Sequence, residues 1–291
     1  MKGADSAPFS CGPRVLHMLL SCGKYTLTLD RPYVMGIVNV TPDSFSDGGF
    51  HSTTTSAVEH AHRLIEEGAD LLDIGGESTR PGAATVSEQQ ELDRVLPVIE
   101  ILRSISIPIS IDTYKPVVMR AAIAAGASMV NDVNALQAQG AIQVVAQSDA
   151  AVCLMHKQGS PQTMQQGPAY RDVVSEVSAF LRERVVALEA AGIASNRIVV
   201  DPGFGFGKTV EHNLDLLRHL DDLHALGVPV LAGLSRKSML GAITGRDVGE
   251  RKVASVVAAL LAVQRGASIV RVHDVRETVD ALKIWNAVNE G

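Results

Sequence analysis

Eight positions in this chain place polar or ionisable side chains where apolar runs stop: Asn39, Asp73 ahead of Gly75-Gly76-Glu77, Asp112, Asn131-Asp132, His156, Asp201, Ser235-Arg236-Lys237, and Arg271 with His273. One such residue reads equally well as a cap or a satisfied buried polar group. Eight of them argue for a ligand, because burying so many polar groups is costly unless they serve a ligand or one another. Their types sort by chemistry. Asp112, Asn131 and Asp201 supply carboxylates and an amide, which suit a flat heterocycle with adjacent N–H and C=O groups. Arg80, Arg271, His273 and Lys237 are donors suited to phosphate oxygens. Asn39 with neighbouring oxygens suits a hard cation such as Mg²⁺, which keeps several waters and bridges phosphates. The chemistry is that of a phosphorylated nitrogen heterocycle.

The elements that must carry these residues repeat one pattern from Tyr33 onward: an apolar run, a polar or Gly-rich loop, then a helical stretch. The runs are Val34–Val40, Asp70–Ile74, Pro108–Ile111, Ser128–Val130, Ala151–Met155, Arg197–Val200, Pro229–Leu234 and Ser268–Val272. Their near-continuous Val, Ile and Leu content predicts parallel strands buried on both faces. Val58, His62, Leu64 and Ile65 fall at helical spacing in the first intervening stretch, and Val173, Val177, Phe180, Leu181, Val185 and Leu188 in the fifth. Gly68, Gly126, Gly192, Gly227 and Gly266 each stand where a helix must stop before the next strand. Eight such units predict a (β/α)₈ TIM barrel, an α/β fold whose chemistry gathers at the C-terminal strand ends. An open doubly wound sheet uses the same units but expects a Gly-rich turn after the first strand, and Asn39-Val40-Thr41-Pro42-Asp43 is not one. Residues 1–13 read as a flexible tail. Residues 14–32 read as a short hairpin closing the barrel bottom, leaving 14–291 as a single domain.

Composition narrows the partners. With 26 Lys and Arg against 32 Asp and Glu, the net charge of −6 disfavours a nucleic-acid surface. No apolar run approaches the ~18 residues of a membrane span. Cys11, Cys22 and Cys153 show no paired metal spacing, which fits a reduced, cytoplasmic setting. Gly203-Phe204-Gly205-Phe206-Gly207-Lys208-Thr209 imitates the end of a P-loop, but that motif needs Gly where Pro202 stands. Lys237 could form a Schiff base, yet its neighbour Arg236 and the nearby phosphate donors favour charge stabilisation. His51, His60 and His62 lack a carboxylate in register and read as surface residues. Cys153 and Met35, Met119, Met129 and Met155 read as core.

These strings also resemble a known family. The stretches from Met35 to Gly49 and from Asp73 to Gly82 resemble the two signatures of the dihydropteroate synthases. Further similar segments are Ile111-Asp112-Thr113, Val130–Val133, Leu154–Gln165, Asp201–Lys208, Gly233–Ser238 and Arg271–Val275. The resemblance runs from about Pro32 to the C-terminus. One departure is Lys157, where family members often carry an apolar residue. It implies a transferase of folate biosynthesis, and a sulfonamide target, that joins 6-hydroxymethyl-7,8-dihydropterin diphosphate to 4-aminobenzoate and releases diphosphate.

By that resemblance Asp112, Asn131, Asp201 and Lys237 bind the pterin. Asn39 ligates Mg²⁺ on the diphosphate, while Arg80, Arg271 and His273 grip its oxygens. Phe45, Thr79, Pro81, Phe206, Ser235 and the Lys237 stem shape the aminobenzoate site. Asp201, Lys237, Arg271 and His273 are the expected catalytic group, on an S_N1-like path without a covalent enzyme intermediate. Aminobenzoate is expected to bind second, onto the Gly/Ser/Thr/Pro-rich segments Thr41–Thr55 and Gly75–Ser87. Members are commonly homodimers, and the stretch Val253–Val263, apolar except for Ser255, predicts a helix buried all round that could meet a second subunit. The alternatives are a pterin-dependent methyltransferase on the same barrel, which has no use for Thr79, Arg80, Arg271 and His273; a non-catalytic pterin-binding paralogue, which predicts lost phosphate residues; and a phosphate-handling aldolase.

Overall fold

A computed structural model describes residues 18–41, 49–78, 85–159 and 167–289, the side chains of 49–52 excepted. The expected tail at 1–13 lies outside the described residues. An antiparallel hairpin, β1 (Leu20–Cys22) and β2 (Tyr25–Leu27), comes first. The repeat then runs β3 (Tyr33–Asn39), α1 (Gly49–Glu66), β4 (Leu71–Gly75), α2 (Glu88–Leu102), β5 (Ile109–Asp112), α3 (Pro116–Ala125), β6 (Met129–Asp132), α4 (Ala141–Ala146), β7 (Ala151–Met155) and α5 (Val173–Ala190). It continues with β8 (Ile198–Asp201), α6 (Val210–Arg218), β9 (Leu231–Ala232), α7 (Ser238–Thr244), α8 (Lys252–Gln264), β10 (Ile269–Val272) and α9 (Val275–Asn289).

The eight strands β3–β10 pair in parallel in the order β8-β7-β6-β5-β4-β3-β10-β9. A parallel bridge between Val200 and Val230 joins the two ends, so the sheet closes as a barrel. The seventh barrel strand is shorter than its apolar run. Pro229 has no N–H to donate, and only Leu231 and Ala232 complete the ladder with β10. All five glycines expected at helix ends take positive φ, from +72° at Gly227 to +127° at Gly126. Helix α5 begins where Asp172 accepts hydrogen bonds from the N–H groups of Val174 (3.0 Å) and Ser175 (3.1 Å), and it buries Val173, Val177, Leu181, Val185 and Leu188, while Phe180 of the expected face is half-buried.

Alternation along each strand divides the core in two. Outward residues such as Val34, Val38, Leu72, Ile74, Ile111, Val130, Val152 and Val200 pack under the helices. Inward residues Met35, Leu71, Met129, Ala151, Cys153, Val199, Leu231 and Ile269 form a separate plug that Leu20, Cys22 and Leu29 close from below. The hairpin therefore caps the barrel bottom, as the sequence predicts.

One expectation fails. Helix α8 is not buried all round: Val253, Val257 and Leu261 are 74%, 50% and 44% exposed. Its small residues Ala258, Ala259 and Ala262, with Val263, take the inner face, and Val253, Val257 and Leu261 turn outward. Among the described residues, no helix is long and apolar enough to cross a membrane.

Candidate active site

The inward positions change character halfway up the barrel. Above the apolar plug stand Asp73, Ser110, Asn131, Asp201 and Arg271, with Asp112 at the next inward step of β5. All of these except Arg271 are at most 9% exposed. Asp112 and Asn131 are direct register partners on β5 and β6, so carboxylate and amide lie side by side. Arg271 rises from β10 and donates from Nε to Asp73 Oδ2 (2.5 Å) and from Nη2 to Asp112 Oδ2 (2.8 Å). Asn131 Nδ2 donates to the same Asp73 oxygen at 3.0 Å.

Asp201 and Lys237 form a second corner. A methyl group on Gly233 would lie 3.7 Å from Asp201 Oδ2 and 3.9 Å from Lys237 Nζ, so the absent side chain leaves the space between them and the ligand open. Asp201 Oδ1 accepts from Gly203 N at 2.7 Å. The Lys237 ammonium donates to Phe204 O and stands 4.7 Å from the centroid of the Phe206 ring. Ser235 Oγ and His273 Nδ1 are 2.9 Å apart, and His273 N donates to Ser235 Oγ at 3.2 Å.

Burial sets the electrostatics. It pushes Asp201 up, against the pull of Lys237. It raises Asp112 to about 7, opposed by Arg271 and reinforced by Asp73. Lys237 is brought down to about 8 by burial, with Asp201 opposing. For Arg271, burial pulls downward, but Asp73 and Asp112 outweigh it and hold the guanidinium protonated. A ring of such shifted groups in one mouth is the signature of a binding or catalytic site.

The loop that imitates a P-loop is built for another purpose. A Cβ on Gly203 would stand 1.8 Å from His156 O, and one on Gly207 would stand 2.3 Å from Gln158 O, so only glycine lets this loop lie against the end of β7. Lys208 is 3% exposed and turns inward, donating to Gly203 O (2.9 Å) and Phe206 O (3.1 Å) and pairing with His156 Nδ1 (3.0 Å). Burial lowers Lys208 to about 7, while burial and Lys208 bring His156 down to about 3. Lys208 is a strut that holds Phe204 and Phe206 towards Lys237.

The structure thus brings together Asp112, Asn131, Asp201, Phe206, Ser235, Lys237, Arg271 and His273. Phe45, Thr79, Arg80 and Pro81 lie outside the described residues. Arg271 directs two of its N–H groups to the carboxylates of Asp73 and Asp112. Arg236, with φ +58°, turns away from Lys237 to pair with Asp274 (Nη2 to Oδ1, 2.6 Å). Asp132 faces outward and accepts from Asn134 N (2.7 Å) and Leu136 N (2.8 Å). His60 is half-buried and pairs with Ile37 O at 3.2 Å rather than lying free on the surface.

Three further features were not anticipated. From the sequence Asp73 reads only as a polar strand residue, although a charge on an inward position must have partners. The Lys208 strut had no sequence signal. Lys115 bridges Glu77, Glu91 and Val86 O, each at 2.6 Å.

Asn39 ends β3 beside Gly75, is half-buried, and makes no side-chain hydrogen bond with the described residues. No group of three or more His, Cys, Asp or Glu among the described residues could hold a metal. One amide oxygen fits a cation that arrives with its own phosphate oxygens and waters, not one caged by protein.

Comparison with known proteins accords with this geometry. The pterin binding enzyme family matches residues 35–273. A dihydropteroate synthase of Neisseria meningitidis serogroup C is 53% identical over 271 residues, covering 91% of this chain and 96% of that protein. The structure of Xanthomonas albilineans dihydropteroate synthase with 4-aminobenzoic acid superposes with a TM-score of 0.90 at 57% identity, covering 95% of this chain and all of that one. The same enzyme in complex with 7,8-dihydropteroate gives 0.86 at 56% identity, covering 94% and 99%.

Proposed function

The chain belongs to the dihydropteroate synthase family of pterin-binding enzymes, and we propose that its barrel mouth joins 6-hydroxymethyl-7,8-dihydropterin diphosphate to 4-aminobenzoate, forming 7,8-dihydropteroate and diphosphate. The observation that carries this reading is the convergence of Asp112, Asn131 and Asp201 with Lys237 and Arg271 on one buried floor. The three acceptors take the N–H edge of the pterin. Lys237 lies next to Asp201 and donates towards the ring. His273 and Ser235 stand at the adjoining strand ends, where the diphosphate leaves, and the remaining N–H groups of Arg271 face the same charge. Arg80 joins the grip on the diphosphate, and Phe45, Thr79 and Pro81, with Phe206, Ser235 and the Lys237 stem, complete the aminobenzoate side.

The reaction breaks the bond between the pterin methylene and the diphosphate oxygen. Positive charge on the methylene spreads into the ring, and Asp201 stabilises it electrostatically. Asn39 would hold Mg²⁺, which neutralises charge on the departing diphosphate. The aromatic amine brings its own lone pair, so the chain supplies no nucleophile and no strong base. The protein works in the cytoplasm as one barrel domain over residues 14–291. A continuous assay should register diphosphate release only when both substrates are present. Release from the pterin diphosphate alone, at the same rate, would contradict the transfer.

The chain also pairs with a second copy through α8. Exposed Val253, Val257 and Leu261, with Ile243, line a groove of about 640 Å³ that Arg246 and Glu250 flank. Val257→Glu should reduce the sedimenting mass from two chains to one. A wild-type protein that sediments as a single chain would rule the pairing out.

A further inference from the structure

We propose that Asp73 is a positioning residue that decides how the pterin floor reads its ligand, by setting the polarity of Asn131 and the plane of Arg271. The inference rests on the assignment of those two residues to the pterin site. Asp73 stands inward on β4, level with Ile37 of β3 and Ser110 of β5, and is fully buried, so it cannot touch the ligand itself. One of its oxygens, Oδ2, receives both Arg271 Nε from β10 and Asn131 Nδ2 from β6. Its other oxygen, Oδ1, has no partner among the described residues. A buried carboxylate is expensive, and a structural one is normally satisfied on both oxygens by backbone or caps. This one serves two ligand-binding side chains and nothing else in the described fold.

The consequence for Asn131 is chemical. The Asp73 oxygen that accepts from Arg271 also accepts from Asn131 Nδ2, so the amide turns its nitrogen to Asp73 and keeps Oδ1 for the ligand. Asn131 then acts as an acceptor beside Asp112, and the floor selects a ring edge that offers adjacent N–H groups. Without Asp73 the amide is free to flip and to present a donor to those same N–H groups. For Arg271, Asp73 on Nε and Asp112 on Nη2 fix two corners of a planar fork, which leaves its remaining donors in one orientation.

The test measures the affinity for 6-hydroxymethylpterin by calorimetry in four variants, with melting curves alongside. Asp73→Ala should weaken binding about 10- to 100-fold, the scale of a hydrogen bond to a charged group. Asp73→Asn keeps an amide oxygen able to accept from both partners, so it should retain affinity to within about threefold of wild type. Asn131→Ala should lose affinity on its own. In the Asn131→Ala background, Asp73→Ala should cost clearly less than it costs in wild type, because the share that runs through Asn131 is already gone and only the share through Arg271 remains. Multiplying losses would overturn the proposal, since a general structural role adds to any other. So would an Asp73→Ala protein that binds like wild type. If Asp73→Ala does not fold, Asp73→Asn decides alone: a loss as large as that of Asn131→Ala, at an unchanged melting temperature, would also overturn it. Unchanged affinity in Asn131→Ala would instead overturn the site assignment on which the proposal stands.

Discussion

Two residues along β4 separate Leu71, which joins the plug closed by the hairpin, from Asp73, which holds Arg271 and Asn131. The same step is repeated around the barrel: Met129 lies below Asn131, Val199 below Asp201, and Ile269 below Arg271. Both layers are buried and both belong to the same strands. The lower one excludes water and fills volume; the upper one holds unlike charges, and burial has pushed Asp112, Asp201 and Lys237 away from their ordinary values. Stability and chemistry are thus stacked along one axis, and each layer should fail in its own way when altered.

The largest effect belongs to the plug. Met129→Ala removes a fully buried side chain from a layer with no solvent behind it. It should destabilise the protein by roughly 2–5 kcal/mol, the range for such truncations. The kcat/KM of the molecules that remain folded should hardly change. A large fall in kcat/KM at a temperature where the variant is fully folded would mean that the layers are not separate.

Next is Lys237→Met in the upper layer. Losing a charged donor to the pterin ring should lower kcat/KM by roughly 10–10²-fold, the scale of a hydrogen bond made by a charged group. The melting temperature should stay level or rise, because a buried ammonium already brought down to about 8 gives way to an apolar chain of similar length. A protein that melts much earlier would show that the ammonium, through Phe204 O, supports the fold.

The layering was partly legible beforehand. Eight apolar runs ending in polar residues give the barrel, because a parallel strand buried on both faces has no other way to be written. The same rule located Asp112, Asn131, Asp201, Lys237, Arg271 and His273. It could not say what each polar group meets, because partners come from other strands. Arg271 and Asp73 are 198 residues apart in the chain, and only barrel closure brings them to 2.5 Å. Lys208 was equally opaque: its partners include backbone carbonyls, which leave no trace in residue type. The outward turn of Val253, Val257 and Leu261 was hidden because a helix apolar on all sides carries no sign of which face is inner.

The smallest effect is a pH dependence, and it sharpens the contrast because the plug contains nothing that titrates near neutrality. Asp112 is raised from an ordinary 3.8 to about 7 by burial, with Arg271 opposing and Asp73 adding to the rise. Between those two values the folded protein holds a proton that the unfolded chain has released. The stabilisation from that proton is complete below about pH 4 and is lost as pH rises through about 7. Asp112→Asn cannot titrate, so its stability should lack this component. Measured by urea unfolding from pH 4 to pH 8, wild type should lose ground steadily against Asp112→Asn up to about pH 7, and the difference should then level off. Pterin should narrow the difference, since ligand N–H groups favour the ionised carboxylate in the folded state. Parallel curves across the whole range would mean that Arg271 keeps Asp112 ionised throughout, and that the upper layer is a settled ion pair before any ligand arrives.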